Sequence, residues 1–203
     1  MKRIFAFILL VGMACGLLNC GHIPTNKFSY VGAGSQEVNK PIVIPIWVDA
    51  KFSAADRSEI VSAAREWNKA LNGRVILWIE EVGFDMRIDV VKKVVDERAW
   101  VILKIDSASP LNKYHGERTL AWANKIGGSQ IYVIRDRVYD SWMKQLLMHE
   151  LGHLLGSKHN GDYLMNEYFH WNRTRCVDYD SLIMVAAKYR LDMRDLNYCV
   201  YTD

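Results

Sequence analysis

The chain has 203 residues, half of them hydrophobic and 24% charged. That suits one globular domain with a core of its own and is too short for two large ones. The formal net charge of +3 includes Lys2 and Arg3; without that pair, 24 basic residues face 23 acidic ones. With no basic stripe, nothing in the charge favours a nucleic-acid partner.

Residues 1–20, "MKRIFAFILLVGMACGLLNC", read as a signal segment. The basic pair precedes an apolar and small-residue run from Ile4 to Leu18, short for a spanning helix and suited to a signal-peptide core. "LLNC" resembles the lipobox of bacterial lipoproteins, which implies lipidation at Cys20; Asn19 departs from the usual Gly, Ala or Ser. The other reading is plain secretion with cleavage after Ala14-Cys15-Gly16. Lipidation at Cys20 leaves Cys176 and Cys199 as an even pair, available for one disulfide in an oxidising compartment. Cleavage after Gly16 leaves three cysteines. The expected location is therefore outside the cytoplasm, in the cell envelope at an outer membrane or cell surface rather than free in the medium.

Residues 21–40 are polar, Gly-bearing and aperiodic, and read as a flexible tether ahead of a domain spanning 41–203. "PIVIPIWV" (41–48) is a first strand. Ser53 offers an N-cap to a helix whose Ile60, Ala63, Ala64, Trp67 and Leu71 fall at helical spacing, and Asn72-Gly73 closes it. Strands are expected at 74–82, 86–95 and 100–106, followed by a loop, "RTLAWAN", Gly127-Gly128 and the strand "SQIYVIR". A helix from about Asp140 carries "SWMKQLLMHELGHLLG", and "DYDSLIMVAAKYRL" is a last helix capped by Asp178 or Asp180. Strands with one early and two late helices imply an α+β domain around a mixed sheet.

The stretch "HELGHLLGSKH" (149–159) concentrates three of the six histidines. Residues four apart on a helix share a face, so His149 and His153 can grip one metal ion. Glu150 is turned aside from them, toward a water at the metal. Gly156 can adopt the left-handed conformation that ends the helix and turns the chain back, bringing His159 in as a third ligand. Three neutral nitrogens leave a fourth tetrahedral position for water, as catalytic rather than structural zinc sites do, and Glu150 is placed to accept that water's proton. Chance would produce the pattern roughly once in 10⁵ chains of this composition.

"HELGHLLGSKH" resembles the extended signature of the metzincin zinc endopeptidases, and the chain from about residue 41 is most similar to their matrixin branch. The resemblance implies a twisted mixed sheet, with an active-site helix and a C-terminal helix flanking a zinc cleft. It assigns Met165 in "YLMNE" to the Met-turn beneath the metal. It makes Leu120, Ala121, Trp122 and Ala123 the edge strand to which extended substrate adds by main-chain hydrogen bonds. Where many matrixins have histidines, this chain has Trp122 and Ile131; Ser129 and Val133 stand in place of acidic calcium ligands, and Asn166 in place of the proline after the Met-turn. One catalytic zinc is therefore expected, without a second zinc or calcium. His115 and His170 are candidates for orienting substrate, and Tyr163 and Tyr168 for stabilising an oxyanion.

The expected function is that of a monomeric, lipid-anchored zinc endopeptidase acting on extended polypeptides. The alternative is a non-catalytic zinc-binding surface lipoprotein that uses the same scaffold for protein interaction, although such a module has no use for Glu150.

Overall fold

The computed structural model describes residues 27–32, 40–80, 99–113, 115–168 and 176–202. Its centre is a five-stranded sheet of β2 (Ile42–Val48), β3 (Val75–Ile79), β4 (Trp100–Ile105), β5 (Ala121–Ala123) and β6 (Gln130–Ile134), in the order β3-β2-β4-β6-β5. Its first four members are parallel, and β5 closes one edge antiparallel to β6. Together with helices α1 (Ala54–Ala70), α2 (Met143–Leu155) and α3 (Tyr179–Tyr189), this is the α+β arrangement with a mixed sheet that the sequence implied.

Alternation decides which sheet face is buried. Ile44, Ile46 and Val48 of β2, Val75 and Leu77 of β3, Ile102 of β4 and Ile131 and Val133 of β6 all join one core cluster. That cluster continues into Ile60, Ala63, Ala64 and Trp67 of α1 and into the apolar face of α2. Helix α1 begins at the expected Ser53, where a capping box forms: the Ser53 hydroxyl accepts from the Asp56 N–H, and the Asp56 carboxylate accepts from the Ser53 N–H. At the other edge of the sheet, the Asn68 side chain bonds both the N–H and the C=O of Leu77, satisfying backbone that an edge strand leaves open.

Several expectations change. Lys27–Gly32, inside the stretch read as a tether, forms strand β1, antiparallel to β7 (Asn197–Thr202). The pairing joins opposite ends of the sequence, so no local pattern announces it. Of the strand expected at 74–82, Val75–Ile79 is seen as strand, the Glu80 N–H still bonds the Ile46 carbonyl of β2, and 81–82 lie outside the described residues. The segment from Asp140 opens as a 3₁₀ turn over Asp140–Trp142 before α2 starts at Met143. The expected strand at 86–95 lies outside the described residues, as do Cys20 and His170. Cys176 and Cys199 form a disulfide.

Candidate metal centre and cleft

Helix α2 is held from above by Trp67 of α1, whose indole N–H donates to the Met148 carbonyl at 2.8 Å in the core. The next two residues, His149 and Glu150, are buried, as is His153 one turn on. Gly156 ends the helix in the left-handed region at φ 112°, its N–H reaching the carbonyls of Gly152 and His153, and the chain turns back as expected. That turn places the Nε2 atoms of His149 and of His159 each 3.1 Å from Nε2 of His153. Ligand atoms of all three lie within 4.8 Å of one another, the one such trio of His, Cys, Asp or Glu among the described residues.

The backbone fixes which nitrogen faces the centre. His149 Nδ1 is 2.7 Å from the Leu164 carbonyl and His153 Nδ1 is 2.9 Å from the Ser157 carbonyl. A carbonyl only accepts, so each Nδ1 carries the proton and each Nε2 presents a lone pair inward. Burial, and then the neighbouring His153, pushes the His149 pKa down to about 3; burial also lowers that of His153. Neutral imidazoles with converging lone pairs repel one another unless a cation sits between them. Two nitrogens about 2.05 Å from a tetrahedral zinc are about 3.3 Å apart, and the 3.1 Å spacings here match that set. The residues fit a zinc ion.

Glu150 lies beside the trio, between α2 and β5. Burial pushes its carboxyl up to about 8, with a backbone hydrogen bond from Ala123 acting the other way. Among the described residues its Oε2 has no hydrogen-bond partner. A buried carboxyl with one oxygen free is a group poised to exchange a proton.

Met165 is fully buried, its sulfur against Gly152 on the underside of α2. The loop between His159 and Met165 is closed by the Asn160 N–H donating to the Met165 carbonyl. Beneath it Asp178, the N-cap of α3, accepts from the Leu164 N–H at 3.2 Å. Lys188 of α3 reaches up and donates to the Leu154 carbonyl at the end of α2.

A cleft of about 760 Å³ runs across this centre, with β5 on one side and His149, Glu150, His153 and His159 on its floor. The carbonyl of Leu120 and the N–H of Asn124 both bond β6. By alternation Trp122 also faces β6, whereas the backbones of Ala121 and Ala123 face the cleft. The edge strand is thus Ala121–Ala123, with Leu120 adjoining it. The Trp122 ring stacks between His115 and Tyr132, at centroid distances of 3.8 and 5.0 Å. His115 therefore helps fasten the loop before β5. Tyr168 lines the cleft. Arg118, Lys125, Ile126, Trp142, Leu146 and Glu167 also line it, and none of them stood out in the sequence as a cleft residue.

No family profile and no characterised protein sequence matches the chain. Among solved structures it is similar to metalloproteinase-II from Bacteroides fragilis, at 16% identity and a TM-score of 0.49, over 82% of this chain and 58% of that one. It is similar to myroilysin at 15% identity and a TM-score of 0.38, over 64% and 55% of the two chains. It is similar to high choriolytic enzyme 1, a hatching enzyme zinc-protease from Oryzias latipes, at 13% identity and a TM-score of 0.42, over 75% and 91%. The chain thus spans little more than half the length of the first two.

Proposed function

We propose that the chain is a zinc-dependent endopeptidase that hydrolyses extended polypeptides bound along β5. The observation that carries this reading is the convergence of three Nε2 atoms, two of them with their lone pairs fixed inward, next to a buried carboxyl on the floor of an open cleft. His149, His153 and His159 would hold one zinc, which when bound supplies a Lewis acid that acidifies water and polarises a carbonyl. Substrate main chain would bond the N–H and C=O of Ala121 and the C=O of Ala123, the Ala123 N–H being taken by Glu150, setting a scissile carbonyl over Glu150. Glu150, whose ionised form a cation held by the three histidines would favour over the metal-free acid, would take a proton from the attacking water at Oε2 and deliver it to the leaving amine. The hydrogen bond from Ala123 holds the other side of that carboxyl, so base and substrate strand share one support.

Export, lipidation at Cys20 and a monomeric state belong to the same proposal, and the cystine suits an oxidising compartment. Labelling by a radioactive fatty acid that disappears in Cys20→Ala tests the anchor.

Glu150→Gln tests the chemistry. Wild-type protein with zinc should cleave members of a peptide library, and a chelator should stop it. The variant should lose about 10²-fold or more of kcat while binding one zinc per chain. A zinc-loaded wild type that cleaves nothing across the library would leave a non-catalytic binding scaffold as the function.

A further inference from the structure

A line of buried contacts runs from the cystine to His149. The imidazole is oriented by its Nδ1–H bond to the Leu164 carbonyl, at 2.7 Å. The peptide of Leu164 is in turn placed by its own N–H, which donates to Asp178 Oδ2 at 3.2 Å. Asp178 accepts from the Ser181 N–H at Oδ1 and from the Ser181 hydroxyl at Oδ2. Leu164, Asp178 and Ser181 are all buried, so water has little access to replace any of these bonds.

Asp178 is fixed from two sides: by the first turn of α3, where its carbonyl accepts from the Leu182 N–H, and by β7. On the β7 side it meets Cys199 in an isolated bridge rather than a ladder, with the Cys199 N–H donating to the Val177 carbonyl. The other tie is covalent: Cys176–Cys199, two residues before Asp178.

We propose that Asp178 is a positioning residue for His149 and that the Cys176–Cys199 disulfide holds it there, so that zinc affinity depends on that cystine being formed. Opening it with a dithiol transfers two electrons and two protons: the reductant's two thiols become one disulfide, and Cys176 and Cys199 become two thiols. Segment 176–178 then loses its covalent tie to β7 and keeps only non-covalent ones. Asp178, Leu164 and the His149 ring lose their common reference. Groups that orient a ligand in this way typically carry 10- to 100-fold in metal affinity.

This inference rests on the reading of His149 as a zinc ligand, and its test separates the two. Asp178→Asn is the sharp variant, because asparagine caps helices as well as aspartate does. It keeps an acceptor for Ser181 but puts an amide N–H₂ in place of the Oδ2 that faces Leu164. Zinc affinity is measured by competition with a chromophoric chelator, and ligand geometry from the visible spectrum of the Co²⁺-loaded protein. Asp178→Asn and the double variant Cys176→Ala/Cys199→Ala should each bind zinc about tenfold or more weakly, with altered Co²⁺ bands. Combining all three changes should add little to the larger single effect.

Unchanged affinity and bands in the folded variants overturn the proposal, even where the melting temperature falls, since a cap or cross-link of purely structural value predicts that result. If the cysteine variant does not fold, Asp178→Asn decides alone. A wild type that binds no zinc overturns the ligand reading itself.

Discussion

The sulfur of Met165 sits 2.5 Å from where a Cβ on Gly152 would be, and the Trp67 ring sits 3.0 Å from the same point. The glycine between the two helix histidines is therefore a socket: it lets the turn below and helix α1 close on α2 at one level. Gly152→Ala should gain up to about 1 kcal/mol in helix propensity and lose about 1–3 kcal/mol to overpacking. A net fall in the urea midpoint is expected, with weakened zinc binding. Met165→Leu, which conserves volume, should cost under about 1.5 kcal/mol, and a larger loss would show that the sulfur does more than fill space.

Ala121→Pro should separate binding from folding. Its N–H faces the cleft rather than β6, so proline removes a donor from substrate and none from the sheet. KM for a good peptide should rise about tenfold, the effect of one lost hydrogen bond of about 1.4 kcal/mol, with kcat and thermal midpoint little changed. Trp122→Pro, which breaks the ladder with Tyr132 and the stack on His115, should instead unfold the rim. Equal effects from the two would reject this assignment of the edge.

Glu150→Gln should stabilise the metal-free protein while abolishing hydrolysis. The folded carboxyl is held near 8 by burial and that of the unfolded chain near 4.3. Between those values the folded state binds more protons, so its stability falls as pH rises through that window. Glutamine has no such charge to hide. A gain on the order of 2 kcal/mol at pH 7 is expected by chemical denaturation with chelator present. No gain would place Glu150 in a wetter setting than the structure shows.

Asp56 gives the opposite dependence. Burial pushes its carboxyl up, but hydrogen bonds from Arg135 and Ser53 and the Arg135 charge outweigh this and hold it below the ordinary value. Arg135 lies 2.8 Å away and also meets Asp140. Since the folded value lies below the unfolded one, the stabilisation is complete above about pH 4 and is lost as pH falls through the folded value. Asp56→Asn should cost about 1.5–3 kcal/mol at pH 7 and narrow its deficit in acid. A deficit constant from pH 7 to pH 3 would assign the loss to packing instead.

Much of this was legible because it is local. Ser53, Asp178 and Gly156 mark helix ends by chemistry that acts within four residues, and each does so in the structure. The histidine trio was readable because helical geometry and one glycine turn generate it. What the sequence did not display depends on chain that returns from far away. The β1–β7 pair, the bond from Trp67 to the Met148 carbonyl and the hold of Asp178 on Leu164 join residues whose spacing carries no period. The cleft walls are similar: Arg118, Lys125 and Trp142 look like ordinary surface residues until β5 and α2 are set side by side.

The pairing of β1 with β7 also sets a leash length. As a 20-residue tether, 21–40 would let the domain range up to about 70 Å from an anchor at Cys20. With Lys27 already stitched into β7, only six residues separate anchor from fold, and the reach shrinks to about 25 Å. A lipidated chain would then work pressed against its membrane. On the endopeptidase reading proposed above, its substrates would be its neighbours on that surface, or proteins threaded to within a domain's width of the lipid headgroups.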